Sequence, residues 1–442
     1  MISKKHHIFL KEFIQDLPFD VGNSVIIPTV RWIRPAFKFN NIKFFLKELP
    51  FSPIVLPIII IVRLIKPIFH IRFGTFYIGA IGHFALDAGI YFSEKSKVVK
   101  KTYDFFWLPP INESANNFFY KQVKRNLNVS KFVFHLDYYN RLFPGNETHI
   151  AAPIRNIKRA KSRDLDGFLN TRKNIIPFKQ HEEEQAENWM RNKGWNGEPI
   201  VGLQVRDDAY WRMTTHSKYY PDSTGELMAH RNVNIEDFRE TVEYLLSNGF
   251  WVVRMGKFAN NKVSIKHKAF IDYPFCDDQI DLVDIWIPAK CKFFISTSTG
   301  VDALAIINKK PIVYTNFIPL LLFCSFTPCV TIFSHLYWND TGKELSITEM
   351  LENTYYYKNN YDEAGIYIKN NTPKEILDAV KEMIFILESR GVKNFDDSPL
   401  QKLFYRILKN HRNYTWAHKI LHPNAKVGKD YITNYYENNL LI

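Results

Sequence analysis

Cysteine is scarce in this chain: Cys276, Cys291, Cys324 and Cys329 are the only four in 442 residues. None has CxxC spacing, and four are too few to staple a chain of this length, which argues against a disulfide framework and against a zinc site. Reduced thiols in a cytosolic setting are the expectation. A long apolar run is also missing. Pro53 to Val62 is ten uncharged residues, with Pro57 in the middle and Arg63 and Lys66 just beyond it, whereas a bilayer span needs about 20. No small-residue cleavage pattern follows, so the run does not read as a secretory signal. Internal repeats, low-complexity tracts and zinc-finger, RRM or KH signatures are absent. That counts against a nucleic-acid-binding protein despite the net charge of +13.

A composition 46% hydrophobic and 15% aromatic can bury real cores, and the length suggests two or three domains. The charge is uneven: residues 1–72 hold eleven Lys/Arg against four Asp/Glu. Beside the short apolar run, this predicts either a segment resting on an anionic membrane surface or a buried structural piece. Beyond it, strands and helices alternate. FHIRFG (69–74) and TYDFFWL (102–108) read as strands, FALDAGIYFSE (84–94) and ANNFFYKQVKRNL (115–127) as helices, and KFVFH as a third strand. A second series starts after the charged helix 181–194, with strands at 199–206, 250–256, AFIDYP, KFFIS and 311–317 and helices between them. Such alternation predicts parallel sheets and two Rossmann-like domains. The expected division is a basic, apolar extension (1–68), a first Rossmann-like domain (69–195), a second Rossmann-like domain (196–390) and a helical tail (391–442).

Candidate site residues fall just past the strands of the second series, where a doubly wound sheet binds ligand. They are Arg206 and Asp207, Arg254 and Gly256, Asp272, and the run Ser296, Thr297, Ser298, Thr299, Gly300 in FFISTSTGVDALA. A hydroxyl-rich turn entering a helix offers backbone N–H groups to an anion, and two arginines suit a diphosphate. A plain helix cap would explain one hydroxyl, but four in a row suit it less well. In the first series His83 opens a helix after Gly79 and Gly82, with Asp87 one turn on; either could serve as base toward an acceptor. The DxD-like pairs Asp164/Asp166 and Asp277/Asp278 offer a metal site only weakly, and no metal or cofactor is expected.

The segments RFG, GAIGHFALDAGIYFSEK, GLQVRDDAYW, HRNVNIEDFRETVEYLLSNGFWVVRMG, IDYP and AKCKFFISTSTGVDALAIINKKPIVYTNF together resemble a family of bacterial glycosyltransferases encoded with surface-polysaccharide genes, over roughly residues 66–320. The VR strand and hydroxyl turn are more distantly similar to GT-B fucosyltransferases, in which a His-x-Arg strand supplies an arginine to the nucleotide diphosphate. Arg206 keeps that arginine, while Gln204 stands in the histidine's place. The resemblance implies an α/β GT-B fold, two Rossmann-like domains facing a cleft. It also implies metal-independent transfer of a sugar from a nucleotide-sugar donor to a glycan or lipid-linked acceptor. The expected location is cytoplasmic and peripheral, at the inner face of the cytoplasmic membrane. The competing reading is a non-catalytic membrane-docked or nucleic-acid-binding protein.

Overall fold

The computed structural model describes residues 46–97, 102–151, 164, 166–170, 176–213, 226–389, 398–418, 422 and 424–441. The chain divides at Asp164 into two compact units, each with its own parallel sheet. In the first, β1 (His70–Gly74), β2 (Thr102–Phe106) and β3 (Asn128–Val129) lie in that order. Phe76, Phe84, Phe106 and Phe119 fill its core. Arg72 is buried among them because its guanidinium is saturated: Nε and Nη2 donate to the two Asp104 oxygens at 2.7 and 2.9 Å, and Nη1 to Glu94 at 3.1 Å. KFVFH is not the third strand. Asn128–Val129 takes that place, and Val133–Arg141 is a helix whose buried Val133, Leu136 and Asn140 recur at helical spacing.

The apolar run near the amino terminus is the helix Ser52–Leu64, which keeps Pro57 inside it. It packs on the helix Val133–Arg141 through Val55, Ile59 and Val62. No described helix is long and apolar enough to cross a membrane.

The second unit is built on seven parallel strands in the order β12-β9-β8-β7-β4-β5-β6. These are β4 (Ile200–Gln204), β5 (Trp251–Arg254), β6 (Phe270–Asp272), β7 (Phe293–Ser296), β8 (Ile312–Phe317), β9 (Cys329–Phe333) and β12 (Ala425–Val427). IVGL, WVVR, FFIS and IVYTNF are buried throughout. Continuous apolar runs of this kind are what a sheet covered on both faces requires. Chain order runs outward from β4 through β5 to β6, then returns to β7 on the other flank of β4. The strand order therefore reverses between β4 and β7. A short antiparallel pair, β10 (His335–Trp338) with β11 (Ile366–Lys369), stands apart from this sheet.

Two boundaries differ from the sequence expectation. The charged helix Gln180–Asn192 belongs with the second unit, where Trp189 Nε1 donates to the Asp278 carbonyl at 2.9 Å and Trp286 Nε1 to Glu183 at 2.8 Å. The carboxyl-terminal segment is more than a helical tail, because Ala425–Val427 supplies the edge strand beside β9. The four thiols form no disulfide.

Candidate anion site at the strand crossover

Ligands bind doubly wound sheets outside the carboxyl ends of the two strands where the order reverses. Here those ends are Gln204 to Arg206, after β4, and Ser296 to Thr299, after β7. The strands approach closely because Gly202 opposes Phe294; a Cβ at Gly202 would lie 2.4 Å from that ring. The two ends are also tied directly, with the Arg206 N–H donating to Thr297 Oγ1 at 2.9 Å.

The four hydroxyl residues have separate tasks. Ser296 Oγ is buried, donates to Asp302 at 3.0 Å and accepts from the Thr299 N–H at 3.3 Å. Thr297 is the link to Arg206. Ser298 is held at φ 58°, in the left-handed region that is costly for a non-glycine residue. Its carbonyl accepts from the Arg231 guanidinium. Thr299 Oγ1 is buried with no hydrogen-bond partner. The helix that follows, Asp302–Ile307, has only six residues. Its dipole is correspondingly short, and the hydroxyl run is mostly an internal brace. Gly300 is exposed at the turn.

Two arginines carry the positive charge of the site. Arg206 is half-buried at the end of β4, and Arg231 reaches the same turn from the segment 229–233. That segment is docked by the Val233 N–H, which donates to the Arg206 carbonyl at 2.9 Å. The Nε atoms of both arginines are buried and have no hydrogen-bond partner. Burial, then the charge of Arg231, pushes Arg206 down to about 9, with only partial relief from Tyr356, Asp207 and Asp208. His230 lies beside both guanidinium groups and is pushed down to about 3 by burial and by their charges. Unsatisfied buried polar groups cost about 1–3 kcal/mol each. Here four such atoms, Arg206 Nε, Arg231 Nε and the two His230 ring nitrogens, belong to neighbouring residues.

Other expected contacts are used differently. Arg254, 2% exposed, donates to Asp272 at 3.2 Å and to the Asn261 carbonyl at 2.6 Å. These two residues thus satisfy each other in the wall beside the site. Burial raises the Asp272 carboxyl, with Arg254 pulling the other way. Asp207 braces loops, accepting from the N–H groups of Ala209 at 2.9 Å and Asn260 at 2.8 Å. Gly256 takes φ 137° where the chain leaves β5. In the first unit His83 lies in the opening turn of the helix Ile81–Lys97, edge-on to Tyr77, and Asp87 is buried one turn later.

Among the described residues no cluster of His, Cys, Asp and Glu could hold a metal ion. Of the acidic pairs, Asp278 is bound to Lys193 at 2.8 Å, while Asp164 is buried and Asp166 exposed.

Arg231, His230 and Asp302 escape sequence reasoning. HRN lies in an irregular stretch with no strand before it, so nothing in its pattern marks it as a strand end. Asp302 reads as an ordinary first-turn acid, yet burial pushes it up to about 7 against the pull of the Ser296 hydroxyl.

By strand order the second unit is a doubly wound α/β fold. No family model matches the chain, and no curated protein matches it. Two solved structures show a loose likeness. One is a glycosyltransferase family 9 protein from Veillonella parvula, 10% identical, where 72% of this chain covers 98% of that one at a TM-score of 0.38. The other is ADP-heptose LPS heptosyltransferase II of E. coli, 13% identical, with 72% and 100% covered at 0.35.

Proposed function

We propose that this protein is a glycosyltransferase of GT-B organisation, transferring a sugar from a nucleotide-sugar donor to a glycan or lipid-linked acceptor. The observation that carries the reading is the pair of under-satisfied arginines, Arg206 and Arg231, meeting the STSTG turn where the strand order reverses. Displacement at the anomeric carbon leaves growing negative charge on the nucleotide diphosphate. Guanidinium groups already in place stabilise that charge more in the transition state than in the ground state. The Thr299 hydroxyl adds a neutral donor at the same turn. His83 or Asp87, from the first unit, is the base assigned to the acceptor hydroxyl.

Transfer is read as metal-independent because side-chain cations face the diphosphate. Turnover should therefore survive EDTA, and loss restored by magnesium or manganese would count against this part. The decisive experiment is binding of a panel of nucleotide sugars, followed by turnover of Arg206→Ala. Loss of one preorganised charge donor costs about 10²- to 10³-fold in turnover. Folding should be little changed, since the guanidinium supports no apolar core. A fully active Arg206→Ala would place the donor site elsewhere, while a protein that binds no nucleotide sugar would leave the non-catalytic scaffold reading standing instead.

A further inference from the structure

His230 has no structural task that requires an imidazole. Its ring packs on Tyr361 with 5.5 Å between centroids, a contact that a ring of any charge could make. Both ring nitrogens are buried without a hydrogen-bond partner, and the Leu227 backbone favours the charged form. The largest charge effects on the ring among the described residues come from Arg231, Arg206 and Lys358, all positive. A cationic ring is therefore repelled by all three in the free protein. A dianion seated against Arg206 and Arg231 removes that repulsion and supplies an acceptor for a ring N–H.

We propose that His230 is a proton-linked ligand of the donor's diphosphate. The neutral ring takes one proton from solvent as the diphosphate docks and donates an N–H to a phosphate oxygen. It returns the proton when the nucleotide diphosphate leaves, and no covalent bond changes. This rests on the donor-site reading above, and it gives the crevice a third cation that exists only while the site is filled.

The test is titration calorimetry of the full chain with UDP-glucose, GDP-mannose, dTDP-glucose and ADP-glucose, repeated in buffers of different ionisation enthalpy. These diphosphates are esterified at both ends and lack the terminal-phosphate ionisation near pH 6, so a proton taken up belongs to the protein. Whichever sugar nucleotide binds should bring close to one proton with it, and its affinity should tighten by up to about tenfold per unit as pH falls. His230→Gln and His230→Asn should bind the same compound more weakly, with no uptake and a flat pH profile. Binding by the wild-type chain without proton uptake, or uptake that persists in both variants, overturns the role of His230 alone. Binding of none of the four overturns the donor site and this inference with it.

Discussion

At the scale of single residues, two histidines respond to pH in opposite senses. His335 is clamped between carboxylates, Nδ1 at 2.5 Å from Glu344 and Nε2 at 2.9 Å from Glu375, while the Tyr435 hydroxyl donates to Glu344 at 2.7 Å. These partners overcome the cost of burial and raise it to about 9. A group whose folded value lies above its unfolded value of about 6.5 stabilises fully below the unfolded value, and the benefit disappears as pH rises through the folded one. His335→Gln should therefore cost on the order of 3 kcal/mol below about pH 6.5, by the scale of about 1.4 kcal/mol per unit. The gap from wild type should narrow toward pH 9. Urea melts at several pH values check this, and parallel stability curves for the two proteins would refute it. His230, pushed down to about 3, has the reverse sign: its contribution is present above about pH 6.5 and is lost as pH falls toward its folded value. Arg206 was legible because it ends an apolar strand run. Arg231 and His230 were not, because their place depends on tertiary contacts, such as Val233 N–H to the Arg206 carbonyl and Arg231 to the Ser298 carbonyl, between segments far apart in sequence.

At the scale of elements, the second unit was readable wherever strands are buried on both faces, since IVGL, WVVR and FFIS leave little alternative. The three-residue strand Ala425–Val427 is too short to carry a pattern, and only its pairing with Cys329–Thr331 defines it. β10 and β11 are partly exposed and separated by helices, so their pairing is a tertiary fact. KFVFH misleads because five residues with this apolar spacing fit about one and a half turns of helix as readily as a short strand. Gly202 is the element-scale feature that brings the crossover strands together. Gly202→Ala would place a methyl 2.4 Å from the Phe294 ring, which cannot swing away because Phe294 is itself fully buried. Overpacking of this kind costs about 1–3 kcal/mol. It should also part the ends of β4 and β7, weakening nucleotide-sugar binding as well as stability. A variant with wild-type stability would mean that Phe294 can yield.

At the scale of the whole molecule, the remaining question is the net charge of +13 and what it meets. The sequence offered a membrane-surface segment or a buried piece, and the helix Ser52–Leu64 has a face suited to each. Val55, Ile59 and Val62 are in the core, while Ile54, Ile61 and Leu64 are 62%, 54% and 73% exposed, followed by Ile68 at 79%. At 13 residues the helix is roughly 20 Å long, so it would lie along a bilayer surface rather than cross it. Arg63 is not the contact for lipid phosphate, because its guanidinium donates to the Asn140 side chain and carbonyl and to the Pro144 carbonyl. Arg72 is buried and ion-paired, so among the described residues of this segment the basic groups left to attract anionic lipid are Lys47 and Lys66. Aliphatic insertion contributes about 1.5–3 kcal/mol per fully buried side chain. The triple change Ile61→Asp, Leu64→Asp, Ile68→Asp should therefore reduce binding to phosphatidylglycerol-containing vesicles by at least about 10²-fold, since about 1.4 kcal/mol is tenfold. Added salt should weaken wild-type binding only partly, because screening acts on the charges and leaves the apolar contribution intact. Turnover on a water-soluble acceptor should be unchanged, as these side chains lie outside the anion site. Full-length protein that stays in solution beside such vesicles, or a triple variant that still sediments with them, would assign this face to another partner.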